Sequence, residues 1–593
     1  MYRSFGLKCA VVAVVMSLVA CSAVDDDMSV EDSPDGKHDQ VIFDGKADGL
    51  IGECHIEHIL LLVNDPGVDA DRLIDKGLHT RAAQNIVEHR VGADGLSGTE
   101  DDEYFDSIEA VDDVYFVGPV AMQQLAGAVE DYCSDRPWRQ ATPIFSPRPY
   151  HDSHIDRVVE KIDGAERSID IAMYSISDSR AISALGDAVE RGVTVRLLFD
   201  GANGDHLNME GSRSAQLEDL GIDVRYINRI MHHKFAIIDG PQEELLQASE
   251  ARFFSGSGNL SYGAATRYDE NTTIHRGDPA VVLTMQREFN HLWENSRDLA
   301  WNEELEYFET LPIEAEMIPP RDDLEILLTS ENFETTYSAQ WGAGFRLIHF
   351  SEAVADRLVE LIDESESSIY IAAGFLRSRP ISEALMRRWS EDPDLDIRIY
   401  LDQSEYISHW YNNSQHSDLE DCLVEAGEDE RDIYDCEQRG FIFSYELLDH
   451  GIPVRFKNYS FRWHFSYAKQ MHHKYIIIDE NTVATGSYNF SNNAEQNTME
   501  NVIVYSGPFY ADLIDAFVDN FETIWRTGHD EDIYEALMTD IETSDEIDLL
   551  FEPAALTWEE VTDLRRAIRD RCPDVDTEPY RTQPQDHLTC EVY

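Results

Sequence analysis

Basic residues are scarce in this chain. Its 593 residues carry 47 Lys and Arg against 116 Asp and Glu, a formal net charge of −69. A field of that sign repels nucleic-acid phosphates, which net basic proteins usually bind. It counts against a nuclease and leaves room only for one with a locally basic cleft. The acidic residues spread along most of the chain, so they read as a solvated face and not as one dedicated site. A membrane-spanning run is also missing: the apolar stretch Cys9 to Ala20 falls short of the roughly 20 residues a spanning helix needs, and no later segment is longer and as apolar. No cysteine spacing fits a zinc site, so neither a metal nor a cofactor is expected. Apolar material is plentiful, at 42% hydrophobic and 10% aromatic, and the length implies two or three domains with sizeable cores.

The first residues read as an export signal: Arg3 and Lys8, the apolar run, then Leu18-Val19-Ala20-Cys21 and the acidic Asp25-Asp26-Asp27. A small residue directly before a cysteine resembles the lipobox of bacterial lipoproteins. That resemblance implies a signal peptide over residues 1–20 and a lipid on Cys21. Ser22 stands where an inner-membrane retention signal would have Asp, which points to the outer membrane or cell surface. The alternative is an ordinary signal peptide and a periplasmic or secreted protein. Six cysteines remain, an even number that in an exported chain points to disulfides. Proximity in sequence favours Cys54–Cys133, Cys422–Cys436 and Cys572–Cys590 among fifteen connectivities.

Residues 21–50 have the composition of a flexible acidic tether. Residues 51–135 form a small helical module, with helical apolar spacing from Leu73 to Arg90. Two further helical stretches lie between Ser107 and Val129 around Val117-Gly118-Pro119. This resembles one half of a helix-hairpin-helix unit. It lacks the basic residues that holding DNA would need, so a structural or protein-contact role fits better.

From about residue 146 the chain repeats itself. Asp156-Arg157-Val158-Val159-Glu160 is echoed by Asp356-Arg357-Leu358-Val359-Glu360, and Ser168-Ile169-Asp170-Ile171-Ala172 by Ser368-Ile369-Tyr370-Ile371-Ala372. Each copy continues through a helix near Ala181–Arg191 or Ile381–Ser390. A β-rich run follows, Val193–Asp200 or Asp396–Asp402. Buried strands alternating with helices predict an α/β fold of two pseudo-symmetric α/β/α halves, residues 146–310 and 320–530. The second half carries an extra segment near 405–440. Residues 531–593 read as a mostly helical, acidic extension capping that half.

Within the repeat, Met231-His232-His233-Lys234 runs to Asp239, and Met471-His472-His473-Lys474 runs to Asp479. Alternation along a strand puts His and Lys of each copy on one face. Gly256-Ser257-Gly258-Asn259 and Gly486-Ser487-Tyr488-Asn489 follow, then Glu270 and Glu500, each eleven residues beyond its Asn. A single His-x-Lys arises easily by chance. A five-part string repeated in order does not, although a duplicated scaffold whose polar residues pair inside the core is the bland alternative.

These strings resemble the HKD motifs of the phospholipase D superfamily, over roughly residues 146–530. The resemblance implies phosphodiester cleavage through a covalent phosphohistidine on His232, with His472 protonating the leaving group and then activating water or an alcohol. Lys234, Lys474, Ser257, Asn259, Ser487 and Asn489 would meet the phosphate. Glu270 and Glu500 would each orient one imidazole. Asp239 and Asp479 belong to the motif, and their better reading is to tie strands and loops together. The expected substrate is a phospholipid at a membrane surface, cleaved by a monomer that holds both motifs. An endonuclease and a non-catalytic surface binding protein are the alternatives. One basic and aromatic segment, Arg455 to Lys469, fits either stacking on bases or a seat at a lipid headgroup boundary.

Overall fold

In the computed structural model, which describes residues 51–134, 137–299, 311–438 and 440–592, the repeat becomes two eight-stranded sheets. The export signal, Cys21 and the tether lie outside the described residues. The first half contains β1 (Gln140–Ser146), β2 (Ser168–Met173), β3 (Thr194–Phe199), β4 (Asp223–Tyr226), β5 (Ile230–Met231), β6 (Lys234–Ile238), β7 (Arg252–Gly256), β8 (Glu270–Arg276) and β9 (Arg297–Asp298). The second contains β10 (Leu324–Leu328), β11 (Phe333–Ser338), β12 (Gly342–Leu347), β13 (Ser368–Ala373), β14 (Asp396–Asp402), β15 (Val454–Ser460), β16 (Lys474–Ile478), β17 (Thr482–Gly486), β18 (Thr498–Met499) and β19 (Asn501–Ser506). Beyond these come β20 (Glu546–Asp548) and β21 (Leu550–Thr557). The sheet orders, β1-β8-β7-β6-β2-β3-β4-β9 and β10-β19-β17-β16-β13-β14-β15-β21, match strand for strand.

All six residues of β2 and all six of β13 are buried, as expected of central strands covered on both faces. The charged member, Asp170, holds Arg196 through Nε at 2.7 Å and Nη2 at 2.6 Å. The helix before β2 buries Ile155, Val158, Val159 and Ile162 on one stripe. Each such aliphatic contributes roughly 1.5–3 kcal/mol, so a charge at Ile162 would detach the helix from its sheet. Between the halves, helices Pro279–Glu294 and Ala511–Trp525 bring Phe289, Leu292 and Trp293 into one core with Phe517, Phe521 and Trp525.

The N-terminal module shares that core through Leu60, Leu61, Val111 and Leu125. Its apolar spacing over Leu73–Arg90 is not one helix. Helices Ala70–Asp75 and Thr80–Arg90 are separated at Gly77, whose φ of +102° is left-handed backbone that glycine adopts without a Cβ clash. Helices Ile108–Asp113 and Pro119–Cys133 flank the Val117-Gly118 turn.

The C-terminal extension also departs from expectation. Besides helices it supplies β21, which pairs antiparallel with β15 and completes the second sheet where β9 completes the first. Its strand was hidden because Glu552 and Pro553 interrupt the apolar pattern at a sheet edge. Disulfides join Cys54 to Cys133, Cys422 to Cys436 and Cys572 to Cys590. Among the described residues, no helix is long and apolar enough to cross a membrane.

Candidate active site

The central antiparallel strands of both sheets begin at the motif lysines. In register, Lys234 faces Met173 and Lys474 faces Ala373, so each His-x-Lys enters at the same end of its sheet. Lys234 Nζ lies 3.2 Å from both ring nitrogens of His232. Lys474 Nζ lies 3.3 and 3.2 Å from Nδ1 and Nε2 of His472. An acid at or just past the end of β3 or β14 fastens the chain before each motif: Asp200 accepts from the Met231 N–H and Asp402 from the Met471 N–H, both at 3.0 Å.

The halves then exchange partners. His232 Nδ1 meets Glu500 at 2.7 Å, and His472 Nδ1 meets Glu270 at 2.8 Å. Each imidazole is therefore oriented by a carboxylate of the opposite half. The main chain crosses the same way, with His232 N–H donating to Met499 O at 3.2 Å and His472 N–H to Asp269 O at 3.0 Å. A layer below, the second histidine of each motif repeats the exchange. His233 Nδ1 lies 3.1 Å from Asn501 Oδ1, and His473 Nδ1 lies 3.1 Å from Asn271 Oδ1. Asn501 donates back to Ser255 and Asn271 to Thr485, at 2.9 and 2.8 Å. These asparagines directly follow the two glutamates in sequence.

The two histidines are not electrostatically equivalent. Burial, then Lys234 and Lys474, pushes His232 well below its ordinary value, and burial lifts Glu500 to about 7 against the pull of Lys234. Burial also lowers His472, but there Glu270 opposes it. Glu270 in turn stays below the ordinary carboxylate range despite burial, held by His472 and Lys474. Burial depresses Lys234 to about 7 and Lys474 to about 8, each still feeling both glutamates. Two lysines and two imidazoles thus meet with Glu270 and Glu500 in one cleft, a place for an oxyanion.

Other expected site residues are placed differently. Ser257 and Ser487 are fully buried, and their hydroxyls accept the N–H of Asn271 at 2.9 Å and of Asn501 at 3.0 Å. They stand behind the glutamates instead of on a phosphate, because the Gly-Ser turn folds inward against β8 and β19. Asn259 and Asn489 are part-exposed, with side-chain oxygens that find no protein hydrogen bond. Asp239 and Asp479 leave the catalytic set altogether. They sit beyond the far ends of β6 and β16, where Asp239 accepts the N–H groups of Glu166 and Arg167 and Asp479 those of Glu366, Ser367 and Ser368. Removing Asp479 with alanine is expected to cost about 1–3 kcal/mol in a denaturant titration while leaving kcat within about threefold.

Tyr174 and Tyr268 were not anticipated. The Tyr174 ring stands edge-on to His232 with centroids 4.8 Å apart, and Tyr268 lies 6.5 Å from His472. The basic and aromatic segment resolves into committed groups. Lys457 is buried against Asp269 at 2.7 Å, Arg462 pairs with Asp576 at 2.9 Å and Lys469 with Glu552 at 3.2 Å. Arg455 covers the Trp525 ring, leaving Trp463 and Phe465 as its exposed aromatics. Among the described residues, the one group with metal-ligand proximity is Cys54, His58 and Cys133, and its cysteines are joined in a disulfide.

A family model described as cardiolipin synthase, phospholipase D-like domain, matches residues 158–293 and again 358–525, just over half of the chain. The mitochondrial cardiolipin hydrolase of Xenopus laevis is 30% identical over 158 residues, 26% of this chain and 69% of that one. The Drosophila melanogaster protein of the same description is 32% identical over 152 residues, and this chain spans 58% of its length. Among solved structures, phosphatidylserine synthase of Haemophilus influenzae is similar at 10% identity and a TM-score of 0.40, covering 72% of this chain and 92% of that one.

Proposed function

This chain belongs to the phospholipase D superfamily, and from that premise we propose that it hydrolyses, or transfers to an alcohol, the phosphatidyl group of phospholipids through a covalent phosphohistidine on His232. The observation that carries this reading is the single cleft in which both His–Lys sets are completed by the glutamate of the other half. His232, kept neutral, donates Nδ1–H to Glu500 and offers the Nε2 lone pair to phosphorus. The P–N bond forms as the P–O bond to the leaving alkoxide breaks. His472, whose proton Glu270 stabilises, gives that proton to the leaving oxygen. His472 next takes a proton from water or an acceptor alcohol, whose oxygen displaces His232. Lys234 and Lys474 offset charge on the non-bridging oxygens in both steps.

Two observations favour lipid. Relatives matched here are named for hydrolysing cardiolipin. The basic and aromatic segment offers no unpaired row of cations for a nucleic-acid backbone, and the chain's charge of −69 opposes one. As part of the same proposal, lipid on Cys21 would hold the enzyme at a membrane surface.

Incubation of the purified protein in EDTA with vesicles of phosphatidylcholine, phosphatidylglycerol or cardiolipin, and with single-stranded DNA, tests this. Release of a headgroup alcohol is expected; nicked DNA with intact lipid would overturn the substrate class. The same assay should give a bell-shaped kcat/KM. Activity rises as pH climbs to about 7, because the His232–Glu500 pair must lose its extra proton before His232 can attack. It falls as pH rises further, because His472, lowered by burial, loses the proton the leaving oxygen needs, and because the lysines, at about 7 and about 8, lose the charge that stabilises the phosphoryl oxygens. Methionine at Lys474 is expected to cost about 3 kcal/mol of transition-state stabilisation, read as kcat.

A further inference from the structure

The two halves differ at one position that touches the reacting groups. Superposing the repeats on β2 and β13 sets Ser168-Ile169-Asp170-Ile171-Ala172-Met173-Tyr174 against Ser368-Ile369-Tyr370-Ile371-Ala372-Ala373-Gly374. Tyr174 and Gly374 each immediately follow the central strand, one residue past the partner of the motif lysine. On the first side the Tyr174 ring leans on His232, with Lys234 Nζ 5.6 Å from its centroid. On the second side the matching position, Gly374, carries no ring. The nearest atoms to a Cβ built on Gly374 would be Met471 O at 3.1 Å and His472 Cδ2 at 3.9 Å, so a side chain there would lie on His472 as Tyr174 lies on His232.

Backbone conformation does not demand this glycine. Gly374 is not among the left-handed residues of the chain, and the tight contact to Met471 O asks for a shift of only a few tenths of an ångström. What the glycine secures is room beside His472. The exposures agree: the His472 side chain is 19% accessible and that of His232 11%. Tyr268, contributed by the other half, sets its ring 6.5 Å from that of His472, whereas its counterpart Thr498 turns inward to hydrogen-bond Glu500 at 3.0 Å.

We infer that Gly374 and Tyr268 bound a slot over His472 that receives the departing alcohol, while Tyr174 closes the cleft over His232. A phosphodiester has two unlike substituents, and a truly symmetric site would bind it in either direction. With the slot on one side, the headgroup alcohol sits where His472 can protonate its oxygen, and phosphorus faces His232. By microscopic reversibility an acceptor alcohol enters the same slot, with His472 taking its proton. This assignment rests on the histidine roles proposed above. It makes Gly374 a specificity-determining residue.

Transfer from a donor that is not a lipid tests the slot independently of the lipid reading. With bis(p-nitrophenyl) phosphate as donor, the phosphoryl group on the enzyme partitions between water, methanol, glycerol and benzyl alcohol, and the diester products can be counted. Wild type is expected to transfer to the two larger alcohols at least as well as to methanol. Gly374→Leu should lower transfer to benzyl alcohol relative to methanol by tenfold or more. Gly374→Ala should move the ratio the same way by less, and Tyr174→Ala should leave it unchanged. A ratio that Gly374→Leu does not alter, or that Tyr174→Ala alters instead, overturns the slot. So does a wild-type protein that transfers to methanol alone or to no alcohol. If Gly374→Leu does not fold, the Gly374→Ala ratio decides. Which histidine carries phosphate is read separately by peptide mapping, so the roles and the slot can fail independently.

Discussion

Alanine at His232 is expected to lower kcat by about ten-thousand-fold or more on any phosphodiester, because it removes the group that forms the P–N bond. His472→Ala should lose comparably on a diester with an alkoxide leaving group, since that oxygen must be protonated as it departs. The two variants should separate on bis(p-nitrophenyl) phosphate. Its nitrophenolate needs no proton to leave, so His472→Ala can still form the phosphoenzyme and should show a burst of one nitrophenolate per protein, followed by slow release. His232→Ala should show no burst. The structure gives the reason for this order: burial lowers both imidazoles, but Glu270 opposes the shift at His472, whereas Lys234 and Lys474 add to it at His232, which is pushed well below its ordinary value. A burst from His232→Ala instead would exchange the roles.

The second large effect follows from the crossing of the halves. Glu500→Gln should cripple His232, and Glu270→Gln should cripple His472, although each glutamate belongs to the other repeat. Losing the carboxylate that fixes an imidazole tautomer costs about 10²- to 10⁴-fold in kcat. The kinetics should tell the variants apart. Glu500→Gln slows the nitrophenolate burst, whereas Glu270→Gln leaves the burst and slows release. Glu500→Gln should also remove the acid limb near pH 7, because the group that carries the extra proton there is gone. If Glu270→Gln slowed the burst and Glu500→Gln spared it, each glutamate would be serving its own half, and the crossed geometry would be wrong.

Much of this site was legible in the chain. Strand alternation alone puts His232 beside Lys234 and His472 beside Lys474, and the equal spacing to Glu270 and Glu500 survives a longer turn in the first copy. Asp239 and Asp479 could be set aside as ties, since an Asp ending a buried strand is well placed to accept main-chain N–H groups. Ser257 and Ser487 misled, because a Gly-Ser turn beside a catalytic strand can fold toward the substrate or toward the core. Their full burial against the Asn271 and Asn501 N–H groups decides for the core. The strand β21 was missed because at a sheet edge only part of its length is buried.

The sequence by itself determined the chemistry: two histidines, two lysines and two glutamates, duplicated in order, on strands whose periodicity is local. Only the tertiary structure decided which glutamate serves which histidine, since that choice depends on contacts between residues more than 200 positions apart. It also decided that Tyr174 stands over one histidine while Gly374 leaves the other open. A repeat records what its two copies share, and the direction in which a substrate binds is set by where, after packing, they differ.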